Sequence, residues 1–145
     1  GVADVPEWVL DTNVLVSGLL SPSGPPARLV DAVLGRRLRL AVDDRIEVEY
    51  REVLARPRLG IPKGRRDAFL AVLLFQMHVT ARPWPHGAPP DEDDRPFLEV
   101  AAETSDLSLV TGNLRHFPPA CRGPVRVLSP RAAWETLVGF ELSDS

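Results

Sequence analysis

The chain has 145 residues, 44% of them hydrophobic and 26% charged. That balance suits one folded domain, residues 1–145, with a hydrophobic core of its own, and it excludes a disordered or fibrous chain. A net charge of −3 argues against nucleic-acid binding through bulk positive charge, although 16 of the 17 basic residues are arginine, whose planar fork suits bidentate phosphate contacts.

No apolar run reaches the length of a membrane span, and the N-terminus lacks the charged and apolar regions of a signal peptide. The single cysteine, Cys121, cannot form an internal disulfide and fits a reducing cytoplasm.

In chain order, EWVLDTNVL (7–15) reads as a buried strand because its apolar residues run on rather than alternating. PSGPPARLVDAVLGRRL (22–38) opens with prolines and then places Leu29, Val30, Val33 and Leu34 at helical spacing. LRLAV (38–42) is a short strand. DDRIEVEYREVLARP (43–57) is a helix with acids at its start and a proline stop. KGRRDAFLAVLLFQMHV (63–79) is helical and turns into a strand near its end. WPHGAPPDED (84–93) is a proline-rich loop. DDRPFLEVAAET (93–104) is a helix, DLSLVTGN (106–113) and PVRVLS (124–129) are strands, and PRAAWETLVGF (130–140) is a closing helix. Strands that alternate with helices predict βαβ units: an α/β fold, with a mostly parallel central sheet covered on both faces.

In open parallel sheets, ligands sit beyond the carboxyl ends of the strands. Asp11 and the group Thr111, Gly112 and Asn113 are predicted to reach that edge. On the helix near residue 49, Glu47 and Glu52 have Arg51 and Arg56 four residues on, the favourable order for solvated pairs. Glu49 instead lies in the apolar stripe of Ile46, Tyr50 and Val53, where a carboxylate is costly without a partner. Asp94 precedes Phe97 by three residues and Leu98 by four, which puts it on a buried face, whereas Glu99 and Glu103 point elsewhere and Asp91, Glu92 and Asp93 cap the helix start. Each position alone has a structural explanation. Together, Asp11, Glu49, Asp94 and Asn113 offer oxygen ligands from four elements. Clustered carboxylates call for a hard divalent cation, and the lack of a His or Cys cluster favours Mg²⁺ or Mn²⁺ over zinc.

The segments VLDTNVLVSGLL, EYREVLARPRL, DEDDRPFLEVA and LVTGNLRHF, in this order, resemble the PIN-domain family, and more narrowly the PIN-family toxin components of bacterial toxin–antitoxin systems, relatives of the VapC toxins. The resemblance runs from about residue 8 into RVLSP. It implies a three-layer α/β/α sandwich and a Mg²⁺- or Mn²⁺-dependent ribonuclease that cuts RNA. The family's three acids fall at Asp11, Glu49 and Asp94, and its small polar residue after the first acid at Asn13. The fourth acidic position falls at Asn113, where aspartate is more common, so a weaker or single metal site is one expectation. Thr111 supports the acids from the same strand end, and Arg115 and His116 are candidate phosphate contacts. The resemblance also implies an antitoxin partner and a homodimer. Outside this set, Trp84 is a candidate for base stacking or for a loop anchor, and His78 and His86 lack ligand spacing. The competing readings are a PIN fold without catalysis that binds RNA or protein, and a phosphatase that uses Asp11 as nucleophile. The second lacks the aspartate expected at position 13.

Overall fold

The computed structural model describes residues 5–143. Five strands form one parallel sheet in the order β3-β2-β1-β4-β5: β1 Glu7–Leu10, β2 Arg39–Val42, β3 Met77–His78, β4 Ser108–Val110 and β5 Arg126–Leu128. The helices are α1 Thr12–Leu20, α2 Pro25–Leu34, α3 Asp44–Leu54, α4 Lys63–Leu73, α5 Arg95–Ala101 and α6 Pro130–Ser143, with short 3₁₀ turns at Pro57–Leu59, Glu92–Asp94, Leu114–His116 and Pro119–Cys121. This is the expected α/β sandwich around a parallel sheet. Among the described residues, no helix is long and apolar enough to cross a membrane.

The strand order decides where a ligand can sit. From β1 the chain builds outward through β2 and β3, then returns to add β4 and β5 on the other side of β1. The crossovers therefore change direction between β1 and β4, and a crevice opens there beyond the strands' carboxyl ends. Register carries Leu10 opposite Val110, and the Asp11 N–H donates to the Val110 carbonyl at 2.8 Å, so the first residue past β1 is fixed against the end of β4.

One element differs from the sequence expectation. The run from residue 7 to 15 is not one strand: β1 stops at Leu10, and Thr12–Leu20 is helical. Val14, Leu15, Gly18 and Leu19 are all buried, so α1 is apolar around most of its circumference and gives no amphipathic signature; periodicity cannot separate such a helix from a buried strand. Its packing needs Gly18, because a Cβ there would lie 2.5 Å from the Pro26 carbonyl oxygen and from Val30 Cγ2. That glycine is where α1 crosses α2.

The other helices follow their sequence signals. Asp43 caps α3 by accepting from the Ile46 N–H at 3.0 Å, Ile46, Tyr50 and Leu54 form its buried face, and Glu47 pairs with Arg51 at 3.0 Å. Prolines open α2 and α5, where the missing N–H removes no helical bond. The core joins Trp8, Val9 and Leu10 of β1 to Leu29, Leu40, Tyr50, Phe69, Phe97, Leu109 and Leu137, all nearly inaccessible, each worth about 1.5–3 kcal/mol on burial.

Candidate metal centre

Asp11 is the first residue of the site. It leaves β1 in extended conformation as the residue before α1, and only 5% of it is exposed. Two side chains hold its carboxylate: the Thr111 hydroxyl donates to Oδ2 at 2.9 Å, and the Asn13 amide donates to the same oxygen at 3.3 Å. Asn13 is itself fixed by the Gly112 N–H, which donates to its Oδ1 at 3.0 Å. A Cβ on Gly112 would stand 3.1 Å from that oxygen, so glycine after Thr111 lets the two strand ends close. Among the described residues, both side-chain donors to Asp11 meet Oδ2, and none meets Oδ1.

Asp94 and His116 come to the same place. Asp11, Asp94 and His116 each offer one ligand atom, and those atoms lie within 4.8 Å of one another. Asp94 ends the 3₁₀ turn that leads into α5. His116 ends the turn after β4, with its Nδ1 3.7 Å from Asp94 Oδ2 and its Nε2 3.0 Å from the Asn113 amide nitrogen. An amide that donates to Nε2 leaves the Nδ1–H of a neutral ring facing Asp94.

Glu49 lies outside that trio but within its field. It is half-buried on α3, and the Thr12 hydroxyl donates to its Oε2. The next residue, Tyr50, is fully buried and its hydroxyl donates to the Leu10 carbonyl. That bond ties α3 to the end of β1 and turns Glu49 toward Asp11. Asn113 is placed differently from a metal ligand held free: its Oδ1 accepts from the Arg115 N–H at 3.2 Å, capping the short turn, and its backbone N–H donates to Thr111 Oγ1 at 3.1 Å. Arg115 is exposed and meets none of the acids through its side chain.

The electrostatics of the three acids share one direction. Burial raises Asp94 to about 6, reinforced by the charge of Asp11 and more weakly by Asp91 and Glu49, while His116 opposes the rise. Burial likewise raises Asp11, against the lowering effect of Thr111, the N–H groups of Asn13 and Thr12, and His116. Glu49 is raised by burial and by Asp11 and Asp93, with Thr12 and Arg56 opposing. Several other shielded acids have an arginine: Asp43 and Glu99 share Arg45 at 2.6 and 2.7 Å, and Glu103 has Arg82 at 3.0 Å. Asp11 and Glu49 form no ion pair with Arg or Lys among the described residues, and Asp94 has only His116. Asp11 and Asp94 converging with His116, and Glu49 beside them, with no Arg or Lys ion pair among the described residues, suit a hard divalent cation. The His116 imidazole adds one nitrogen donor at the rim of this oxygen set.

Sequence reasoning placed Asp11, Asp94, Asn13 and Thr111 in this neighbourhood and assigned His116 to a phosphate; the structure brings His116 beside the acids. The signal was present in GNLRH: a cap residue followed three positions later by histidine folds back as one tight turn. Thr12 was missed because it was assigned to a strand. Two other expectations change. Glu99 does not point to solvent; it is 5% exposed and accepts from Arg45 and from the Trp84 N–H at 2.7 Å. Trp84 is the loop anchor rather than a stacking platform, buried and donating from Nε1 to the Cys121 carbonyl at 3.0 Å.

A family model described as PIN domain matches residues 7–115, a span that contains every residue of the site except His116. An uncharacterized protein of Methanocaldococcus jannaschii is 28% identical over 108 residues, covering 72% of this chain and 69% of the relative. No solved structure matches the chain at comparable significance.

Proposed function

The chain belongs to the PIN-domain family, and from that premise we propose that it is a Mg²⁺- or Mn²⁺-dependent endoribonuclease, the toxin half of a toxin–antitoxin pair. PIN domains are in general nucleases that use divalent metals. The observation that carries the reading to this chain is the meeting of Asp11, Asp94 and His116, with Glu49 beside them and no Arg or Lys ion pair to these acids among the described residues.

In this reading Asp11, Asp94 and Glu49 hold the cation, with Asn113 and His116 at its margin. Thr111 and Asn13 fix Asp11 through Oδ2 and so direct Oδ1 into the crevice. A cation held there would offset the charge of acids and phosphate and supply a more acidic water for attack. Without the ion, burial and the neighbouring acids raise the proton affinity of both Asp94 and Glu49. His116 and Arg115 face the phosphodiester from the turn after β4. The chain acts as one nuclease domain in the cytoplasm, as a homodimer that a short antitoxin protein inhibits.

The second reading is a PIN fold without catalysis that works as an RNA- or protein-binding module. Asn113 favours it, because the fourth acid is replaced by an amide engaged as a turn cap. Incubating cellular RNAs with and without Mn²⁺, using wild type and Asp94→Asn, separates the two. Cleavage that needs Mn²⁺ and Asp94 supports the nuclease; RNA binding without metal binding or cleavage supports the module.

A further inference from the structure

A cluster of acids repels the polyanion it would cut, so the strand needs cationic grips at its edges. Sequence spacing pairs Glu52 with Arg56, yet the structure does not form that pair. The Arg56 guanidinium makes no hydrogen bond or ion pair with any described residue, and the residue is exposed. Arg45, Arg51, Arg82 and Arg95 are, by contrast, all engaged by carboxylates.

Arg56 lies two residues beyond the end of α3 and seven after Glu49, in the connection that leads into the Pro57–Leu59 turn. Its charge is felt at Glu49, where it opposes the effect of burial. The rigid turn Pro57–Leu59 begins at the next residue and fixes the chain there. On the other side, Arg115 lies in the turn after β4, exposed and likewise unpaired among the described residues. Because β2 and β4 flank β1, α3 and this turn approach Asp11 from opposite sides. Resting on the nuclease reading, we propose that Arg56 is a phosphate-binding residue: it grips a backbone phosphate beside the one being cleaved and, with Arg115, lays single-stranded RNA across the acidic crevice.

Its place beyond the end of α3 means that Arg56 serves a neighbouring phosphate rather than the scissile one, so the contact is a uniform binding interaction. Its guanidinium makes no hydrogen bond or ion pair among the described residues, so its loss should leave the melting temperature close to wild type.

The test is fluorescence anisotropy with a labelled random-sequence single-stranded RNA in Ca²⁺, which takes the same oxygen ligands, repeated over a range of salt. Arg56→Gln is expected to weaken binding about tenfold and to reduce the slope of log K against log salt by about 0.7, the loss of one phosphate contact on a single strand. Arg56→Lys restores the slope, since it keeps the charge. Arg36→Gln makes the same charge change in the turn before β2, at the amino-terminal ends of the strands, and leaves both quantities near wild type. If Arg56→Gln matches Arg36→Gln while wild type binds RNA, this inference is overturned and the nuclease reading stands. If wild type binds no RNA, both fall.

Discussion

Replacing Asp94 by asparagine should stabilise the metal-free protein. The side chain is 15% exposed, and burial with the charge of Asp11 holds its carboxyl at about 6 rather than 3.8. A carboxyl that is more basic in the folded state contributes stability that is fully present below pH 3.8 and lost as pH rises through about 6. At about 1.4 kcal/mol per pKa unit the loss is at most about 3 kcal/mol, and roughly 1–2 kcal/mol once solvent at the open rim screens the repulsion. Asparagine keeps the shape and carries no charge, so the variant escapes this loss. For a chain of this length that is roughly 3–6 °C in melting temperature. Thermal melts of both proteins in EDTA, from about pH 4 to pH 8, check it. The variant's advantage should be small at pH 4, grow between about pH 4 and pH 6, and level off above. Saturating Mn²⁺ should close or reverse the gap, since ion at a hundredfold over its dissociation constant adds about 2.7 kcal/mol to the form that binds it. An advantage that is absent at pH 8, or largest at pH 4, would refute the claim that crowded, uncompensated charge defines this site.

Asp11→Asn should retain a near-native melting temperature in EDTA and lose RNA cleavage by at least about a hundredfold, measured with Mn²⁺. Thr111→Val removes the donor to Asp11 and the acceptor of the Asn113 N–H; denaturant unfolding should show a cost of about 1–3 kcal/mol, with the Asp11 carboxyl driven further up in a titration followed by NMR. Glu99→Ala leaves the Trp84 N–H and Arg45 without their shared acceptor and should cost about 2–4 kcal/mol in the same assay, without abolishing Mn²⁺ binding. Trp84→Phe loses the bond to the Cys121 carbonyl and should cost about 1 kcal/mol, leaving affinity for RNA unchanged; weaker RNA binding would return Trp84 to the role of stacking platform.

The sheet and most helices were legible because the chain states them locally. α3 has an acidic start, an apolar stripe read as Ile46, Tyr50 and Val53, and a proline stop; the structure buries Ile46, Tyr50 and Leu54 and caps the helix with Asp43. α1 was not legible, since a helix buried nearly all round carries no period that a strand lacks. At the site, Asp11 and Asp94 were readable as acids with no place on an apolar face. Glu99 was not, because its partners Arg45 and the Trp84 N–H are 54 and 15 residues away in sequence, and nothing local announces a buried carboxylate that is fully paired. His116 shows the same limit from the other side. Its turn is local, but its approach to Asp94 depends on how β4 and α5 pack.

The claim that Asp11 and Asp94 converge on a divalent cation is tested most directly by crystals of the protein soaked in Mn²⁺ and measured for anomalous scattering. The account predicts one strong peak in the crevice between the ends of β1 and β4, within about 2–2.5 Å of carboxylate oxygens of both Asp11 and Asp94, and its loss in Asp11→Asn. An empty crevice, or a peak held only by acids elsewhere on the surface, would contradict it.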